Sequence, residues 1–275
     1  MIRIITDSTT DFTLEEIKQF NVDVVPLSVV FSDRSYKDRF ELESKEFYEL
    51  LENNEYPTTS QPAPSLFYDV YKKYENTGDE ILVIGISAGL SGTIQSARIA
   101  AMDFKQRIEI IDSRLVSLCA QQVVLKAIKL RDEGKDLDTI IAEINRMIPK
   151  TRLVAGFDTL EYLVKGGRLS KVAGAAGTFL KIKPMLGIYD GLLKQITKTR
   201  GMKAMIQAIV EKMKESDIDK DELVILGYTK NPENALKLKE ALEAEGYKID
   251  KMIEIGSVIG VHAGPLACAI TFLEK

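Results

Sequence analysis

Histidine is nearly absent: the 275 residues contain one, His262. A transition-metal site built on several imidazoles is therefore excluded. Cysteine is almost as scarce. Cys119 and Cys268 each sit among apolar neighbours with no Cys-x-x-Cys spacing, and they read as buried free thiols of a reducing compartment. No apolar run approaches the roughly 18 residues that a membrane span needs. The opening Met1-Ile2-Arg3-Ile4-Ile5-Thr6-Asp7 reads as a strand ending in polar residues, not as the apolar stretch of a secretion signal. Also missing are a Gly-x-Ser-x-Gly elbow, a dinucleotide fingerprint after the first strand and a Walker loop. No repeat period or low-complexity segment is visible. The expectation is a cytoplasmic protein with no resident metal or cofactor.

What is present is ordinary globular material, 45% apolar and 28% charged, with a net charge of −4. The charge is uneven. Residues 1–150 carry 18 Lys and Arg against 25 Asp and Glu, whereas residues 151–275 carry 19 against 16. Between Lys165 and Lys203 the only acidic residue is Asp190. An acidic protein is a poor match for nucleic acid, where phosphate contacts dominate affinity. The local basic stretch is still a docking candidate for something anionic.

The pattern of apolar residues predicts an α/β fold. Strands are expected at Ile2–Thr6, Val22–Val30, Glu80–Ser87 and Ile108–Ile111. They alternate with helices at Thr13–Asn21, Lys45–Asn53, Ser65–Glu75, Thr93–Met102, Leu115–Glu133 and Leu137–Ile148. Buried strands alternating with helices imply a mainly parallel sheet covered on both faces. Past Pro149-Lys150 the pattern mixes. Helices are expected at Asp158–Lys165, Val172–Lys181, Met202–Lys214 and Ala235–Gly246. Asp190-Gly191 marks a hairpin between Pro184–Tyr189 and Leu192–Lys198. Leu223–Tyr228, Lys251–Ile255 and Ala267–Phe272 complete a mixed sheet. Two α/β domains, 1–150 and 151–275, with a ligand between them, are the expected organisation.

Three strands of the first half run into polar residues: Asp7-Ser8-Thr9, Ser87 to Thr93, and Asp112-Ser113. In a parallel sheet these ends share the edge where ligands bind. The second is a strand, a Gly-containing turn and a helix start. It could offer free amide groups and hydroxyls to an anion, or Ser91 could simply cap the helix. Thr58-Thr59-Ser60-Gln61-Pro62 reads as a hydroxyl-rich loop, either a cap and turn or a donor set. His262 falls in Gly260-Val261-His262-Ala263-Gly264-Pro265, read as a loop between two strands. It is either a structural residue or a ligand contact. Gly166-Gly167-Arg168 can place a guanidinium at a tight bend. The small and apolar run 172–180 suits close helix packing or the wall of a tunnel. Thr197-Lys198-Thr199-Arg200 is surface charge or a docking face.

Together these pieces resemble the DegV family of bacterial fatty-acid-binding proteins. The resemblance rests on Ile5-Thr6-Asp7-Ser8-Thr9-Thr10-Asp11, Thr59-Ser60-Gln61-Pro62, Gly89-Leu90-Ser91-Gly92-Thr93, Asp112-Ser113, Gly166-Gly167-Arg168-Leu169-Ser170 and His262-Ala263-Gly264-Pro265, in family order along the whole chain. It implies two α/β domains around a long-chain fatty acid such as palmitate or oleate, and a carrier rather than an enzyme. It implies a carboxylate clamp of Thr59, Ser91 and His262. Ser60, Gly92, Thr93, Arg168 and Arg200 become further ligand or partner contacts. In some members the acid passes to a separate fatty acid kinase for phospholipid synthesis, so a kinase subunit is an expected partner, and transient contact with a membrane surface is compatible. Ala63, Ala88 and Leu266 depart from the family pattern without removing a clamp donor. The rival reading is a phosphoryl- or acyl-transfer enzyme that uses Gly89–Thr93 to hold an anion.

Overall fold

The computed structural model describes residues 1–52, 56–169 and 182–275. The first part contains strands β1 (Ile2–Asp7), β2 (Asp23–Val25), β3 (Ser28–Val30), β4 (Ser35–Lys37), β5 (Thr58–Ser60), β6 (Glu80–Gly85) and β7 (Ile108–Asp112). Its helices are α1 (Leu14–Gln19), α2 (Ser44–Glu52), α3 (Pro64–Lys73), α4 (Thr93–Ala101), α5 (Leu118–Asp132) and α6 (Leu137–Met147). Strands β2-β1-β6-β7 form a four-stranded parallel sheet. Side chains alternate across it. Ile4, Leu82 and Ile84 point to the α5 and α6 side, while Ile5, Ile81 and Val83 pack with Phe67, Tyr71 and Ala97 of α3 and α4.

The run 22–30, expected as one strand, is two. Pro26 has no amide hydrogen to extend a ladder, so the chain leaves the parallel sheet after β2. It enters a small antiparallel sheet, β4-β3-β5, that the sequence pattern did not reveal. Thr58-Thr59-Ser60 is therefore an edge strand and not a loop. The helix expected from Leu115 starts at Leu118, because Ser117 adopts φ 55° and ψ −133°, outside helical geometry.

The later part holds β8 (Thr151–Gly156), α7 (Glu161–Lys165), β9 (Ile182–Tyr189), β10 (Leu192–Arg200), α8 (Met202–Lys214), β11 (Ile225–Tyr228), α9 (Glu233–Ala244), β12 (Lys251–Glu254), α10 (Ser257–Ala263) and β13 (Cys268–Leu273). The strands form a mixed sheet in the order β10-β9-β8-β13-β11-β12. Asp190 and Gly191, both at positive φ, turn the hairpin between β9 and β10. Its tip docks on the first part: Gly191 O accepts the Ser87 hydroxyl at 2.7 Å. The expected helix 172–181 and tunnel wall 172–180 lie outside the described residues.

Helix α5 lies between the two large sheets. It packs against β1 and β6 on one side and β8, β11 and β13 on the other. A helix covered on both sides loses the usual polar face, and even Gln121 and Gln122 are buried. Both are paired: Gln121 donates to Thr10 O at 2.8 Å, and Thr271 donates to Gln122 at 3.0 Å. Helices α8 and α9 cover the far face of the mixed sheet around Leu226, Ile270 and Phe272. Cys119 and Cys268 are buried and unpaired, and burial pushes both thiols up to about 12. No helix among the described residues is long and apolar enough to cross a membrane.

Candidate functional site

A cavity of about 90 Å³ opens where the strand ends of the parallel sheet face the mixed sheet. Its floor is the inward face of β8 and β13, with Leu153, Ala155 and Ala269, and Ala267 just before β13. Ile86, Leu90, Val116 and Leu118 come from strand ends and from the start of α5. Leu193 of the hairpin and Val258, Ile259 and Ala263 of α10 close other sides. The polar lining is Thr59, Gln61, Ser91, Ser117, Arg168 and His262.

Two of these six, Thr59 and His262, are in direct contact, and the others are held by residues around the cavity. Thr59 is the middle residue of β5, so it faces away from exposed Thr58 and Ser60 and towards the cavity. Its Oγ1 lies 2.9 Å from His262 Nε2. Gln61 packs on the α-carbon of Gly92, beside Ser91, and donates to Ser96 at 3.0 Å. Arg168 donates to Leu90 O at 3.1 Å and to Gly166 O at 2.7 Å. Ser91 shares a 2.8 Å hydrogen bond with the buried Thr93 hydroxyl. No side chain caps α4, so Ser91 is not acting as its cap. Ser117 stands apart, bonded to Asp11 at 2.5 Å.

His262 is not in a loop. It occupies the last turn of α10. Gly256, Gly260 and Gly264 disguise that helix as a loop in the sequence. Burial first, and the nearby Arg168 charge second, lower the imidazole pKa to about 4. The ring is neutral at pH 7, with one donor and one acceptor nitrogen. Nε2 meets Thr59, and Nδ1 is buried against Gly166 with no partner among the described residues.

The amide groups of residues 88–91, in the loop after β6, are engaged, so of the two readings left open there the free-amide one does not hold for these four. Ala88 N–H donates to Asp112 at 3.1 Å and Gly89 N–H to the Ser87 hydroxyl at 3.2 Å. Those of Leu90 and Ser91 both go to Ser87 O. Of the residues expected at the site, Thr59, Ser91, Arg168 and His262 line the cavity. Gly92 and Thr93 buttress it from behind. Ser60 is exposed, and Arg200, at the end of edge strand β10, is exposed and does not line it. Gln61 and Ser117 had no assigned role in the sequence reading. Gln61 was detectable as the residue two after Thr59. Ser117 shows only through its backbone geometry.

Comparison with known proteins adds a further finding. The family model described as uncharacterised protein, DegV family, matches residues 1–275. A DegV domain-containing protein of Caldanaerobacter subterraneus subsp. tengcongensis is 39% identical, with 100% of this chain and 99% of that protein covered. A fatty-acid-binding DegV family protein from Thermus thermophilus has a similar structure at TM-score 0.91 and 30% identity, covering 100% of this chain and 99% of its own. DegV of Bacillus subtilis, described as a fatty acid binding protein, is similar at TM-score 0.86 and 32% identity, again covering 100% and 99%.

Proposed function

The chain belongs to the DegV family, and from that premise we propose that it binds one long-chain fatty acid between units 1–150 and 151–275 and carries it without chemical change. The carboxylate is held by Thr59, Ser91 and His262, with Arg168 contributing charge nearby. The acyl chain lies over the apolar floor. What carries the reading is one observation: Thr59, Gln61, Ser91, Arg168 and His262, with Thr59 and His262 in contact, line a cavity whose other walls among the described residues, Ser117 apart, are apolar.

The energetics agree. Burying a ~16-carbon chain contributes roughly 0.8 kcal/mol per methylene, on the order of 10 kcal/mol gross. Association and chain ordering offset several of these. A buried carboxylate is costly unless hydrogen-bonded, and hydroxyls with a neutral imidazole satisfy it. Presentation to a separate kinase subunit suits a head group held by neutral donors, and exposed Arg200 suits the docking face. The rival phosphate site at Gly89–Thr93 is disfavoured by the engaged amides of Gly89, Leu90 and Ser91 and by Asp112 beside Ala88. Organic extraction of the purified protein followed by mass spectrometry should release fatty acid. A ligand-free protein that also ignores added palmitate and oleate would refute the carrier.

A further inference from the structure

The Asp7-to-Asp11 motif does not line the cavity. Asp7 is consumed by bonds from Thr9 and, across the sheet edge, from the Ile86 amide at 2.7 Å. Asp11 reaches much further along the chain. Its Oδ1 accepts the Gly256 N–H at 2.8 Å and Arg39 Nη2 at 3.1 Å, and its Oδ2 accepts the Ser117 hydroxyl. Arg39 Nη2 also donates to Glu254 O at 2.7 Å. Next to it, Asp38 Oδ1 accepts the Ser257 N–H at 3.1 Å and the Val258 N–H at 3.4 Å. The bonds to Gly256, Ser257 and Val258 converge on the start of α10, whose last turn carries His262.

Resting on the reading of His262 as part of the carboxylate clamp, we propose that Asp11 and Asp38 are positioning residues that fix α10 by its leading amides and so set the imidazole over Thr59. A helix of this length does not hold its own orientation, since nucleation is unfavourable and few internal bonds form. Its direction is set at the two ends. One end is held by carboxylates that lie more than 200 positions earlier in the chain. The other is the Thr59–His262 contact. Generic capping would not require what is seen at the held end: Asp38 Oδ2, Arg39 Nε and Ser257 Oγ are buried with no partner among the described residues. Such an imperfectly satisfied cluster is destabilising by itself, and it is retained where it fixes geometry. Asp11 also grips Ser117, a cavity residue in strained backbone geometry, so one carboxylate aligns two walls.

The sole histidine makes the test direct, because the imidazole resonances of labelled protein report one ring. Palmitate affinity is measured for Asp38→Ala and Asp38→Asn, each alone and combined with His262→Ala. Asp38→Ala should weaken binding about ten-fold, the scale of a lost cap, and Asn should restore most of it. With His262 already replaced, Asp38→Ala should change little. In ligand-free protein the ring resonance should move in Asp38→Ala and return in Asp38→Asn. An equal loss in both backgrounds, or an unmoved resonance, overturns the positioning role. If His262→Ala alone leaves affinity intact, the clamp reading fails instead, and the resonance still decides the positioning. Should Asp38→Ala not fold, Arg39→Gln is read in the same way.

Discussion

His262 and Gly166 illustrate how tightly single residues are fitted here. A β-carbon built on Gly166 would stand 2.1 Å from His262 Nδ1. The neighbouring Gly167 has φ +71°, so the pair serves two needs: one close approach and one left-handed turn. Gly166→Ala must displace the ring or the α7 turn. It should destabilise the fold by about 1–3 kcal/mol and weaken fatty acid binding, as read by urea unfolding and titration. At the head group, Thr59→Ala and Ser91→Ala should each weaken binding by about 1–3 kcal/mol through an incompletely satisfied carboxylate. Unchanged affinity in both would reject the clamp.

The titration of His262 predicts an acid response with a definite sign. The ring titrates near 4 when folded and near 6.5 when free. Between those values the unfolded chain binds the extra proton. Stability from the neutral ring is complete above pH 6.5 and falls as the pH drops towards 4, by about 3 kcal/mol in all. Asp38 works the other way. Burial raises its carboxyl to about 6, so the folded form takes up a proton first, and acidification from 6 towards 3.8 stabilises. In the parent protein these trends oppose. His262→Gln removes only the first, so its urea midpoint should rise relative to the parent as pH goes from 6.5 to 4.5. A constant difference over that range would show that the ring is not held neutral.

At the level of elements, β8 and β13 shape the ligand space. Ala155 and Ala269 are directly paired across the antiparallel ladder, and both line the cavity. Enlarging either to Leu brings bulk to the floor at a point where only methyl groups stand. Ala155→Leu and Ala269→Leu should shift the bound acids towards shorter chains, measured by mass spectrometry of extracts. An unaltered chain-length profile in both would place the tail elsewhere. Most elements were legible in the sequence because their apolar periods were strong, as in β6, α6 and the Asp190-Gly191 hairpin. Helix α10 was not, since a glycine-rich stretch this short owes its helicity to Asp11 and Asp38 and to packing on β3 and β5. Strand β5 was missed for a related reason: three hydroxyl residues pair with β3 only because Pro26 diverts the chain there.

On the scale of the molecule, the main apolar core joins the two halves. Ile4, Leu82 and Ile84 of the parallel sheet belong to the same cluster as Leu153, Ala269 and Leu186 of the mixed sheet, with α5 between them. Such a shared core couples the units, so thermal unfolding should appear as one transition by calorimetry, not two. A ligand seated across that seam binds only when both halves are folded. Palmitate at about 100 times its dissociation constant should therefore stabilise the chain by about 2.7 kcal/mol and shift the single transition upward.

The hydroxyl and carbonyl of Ser87 turn the loop after β6 back on itself, and this has a bearing on selectivity. A glycine-rich turn with open amides would greet any oxyanion, nucleotides and inorganic phosphate among them. Here the amides of residues 88–91 are already satisfied and Asp112 stands guard at Ala88. Among the described residues, the polar side chains that line the cavity are a few hydroxyls, one amide, one guanidinium and one uncharged ring. A doubly charged phosphate is poorly served by that set, whereas a singly charged head group bearing a long greasy tail is well served, so the abundant phosphates of metabolism compete weakly for the same berth.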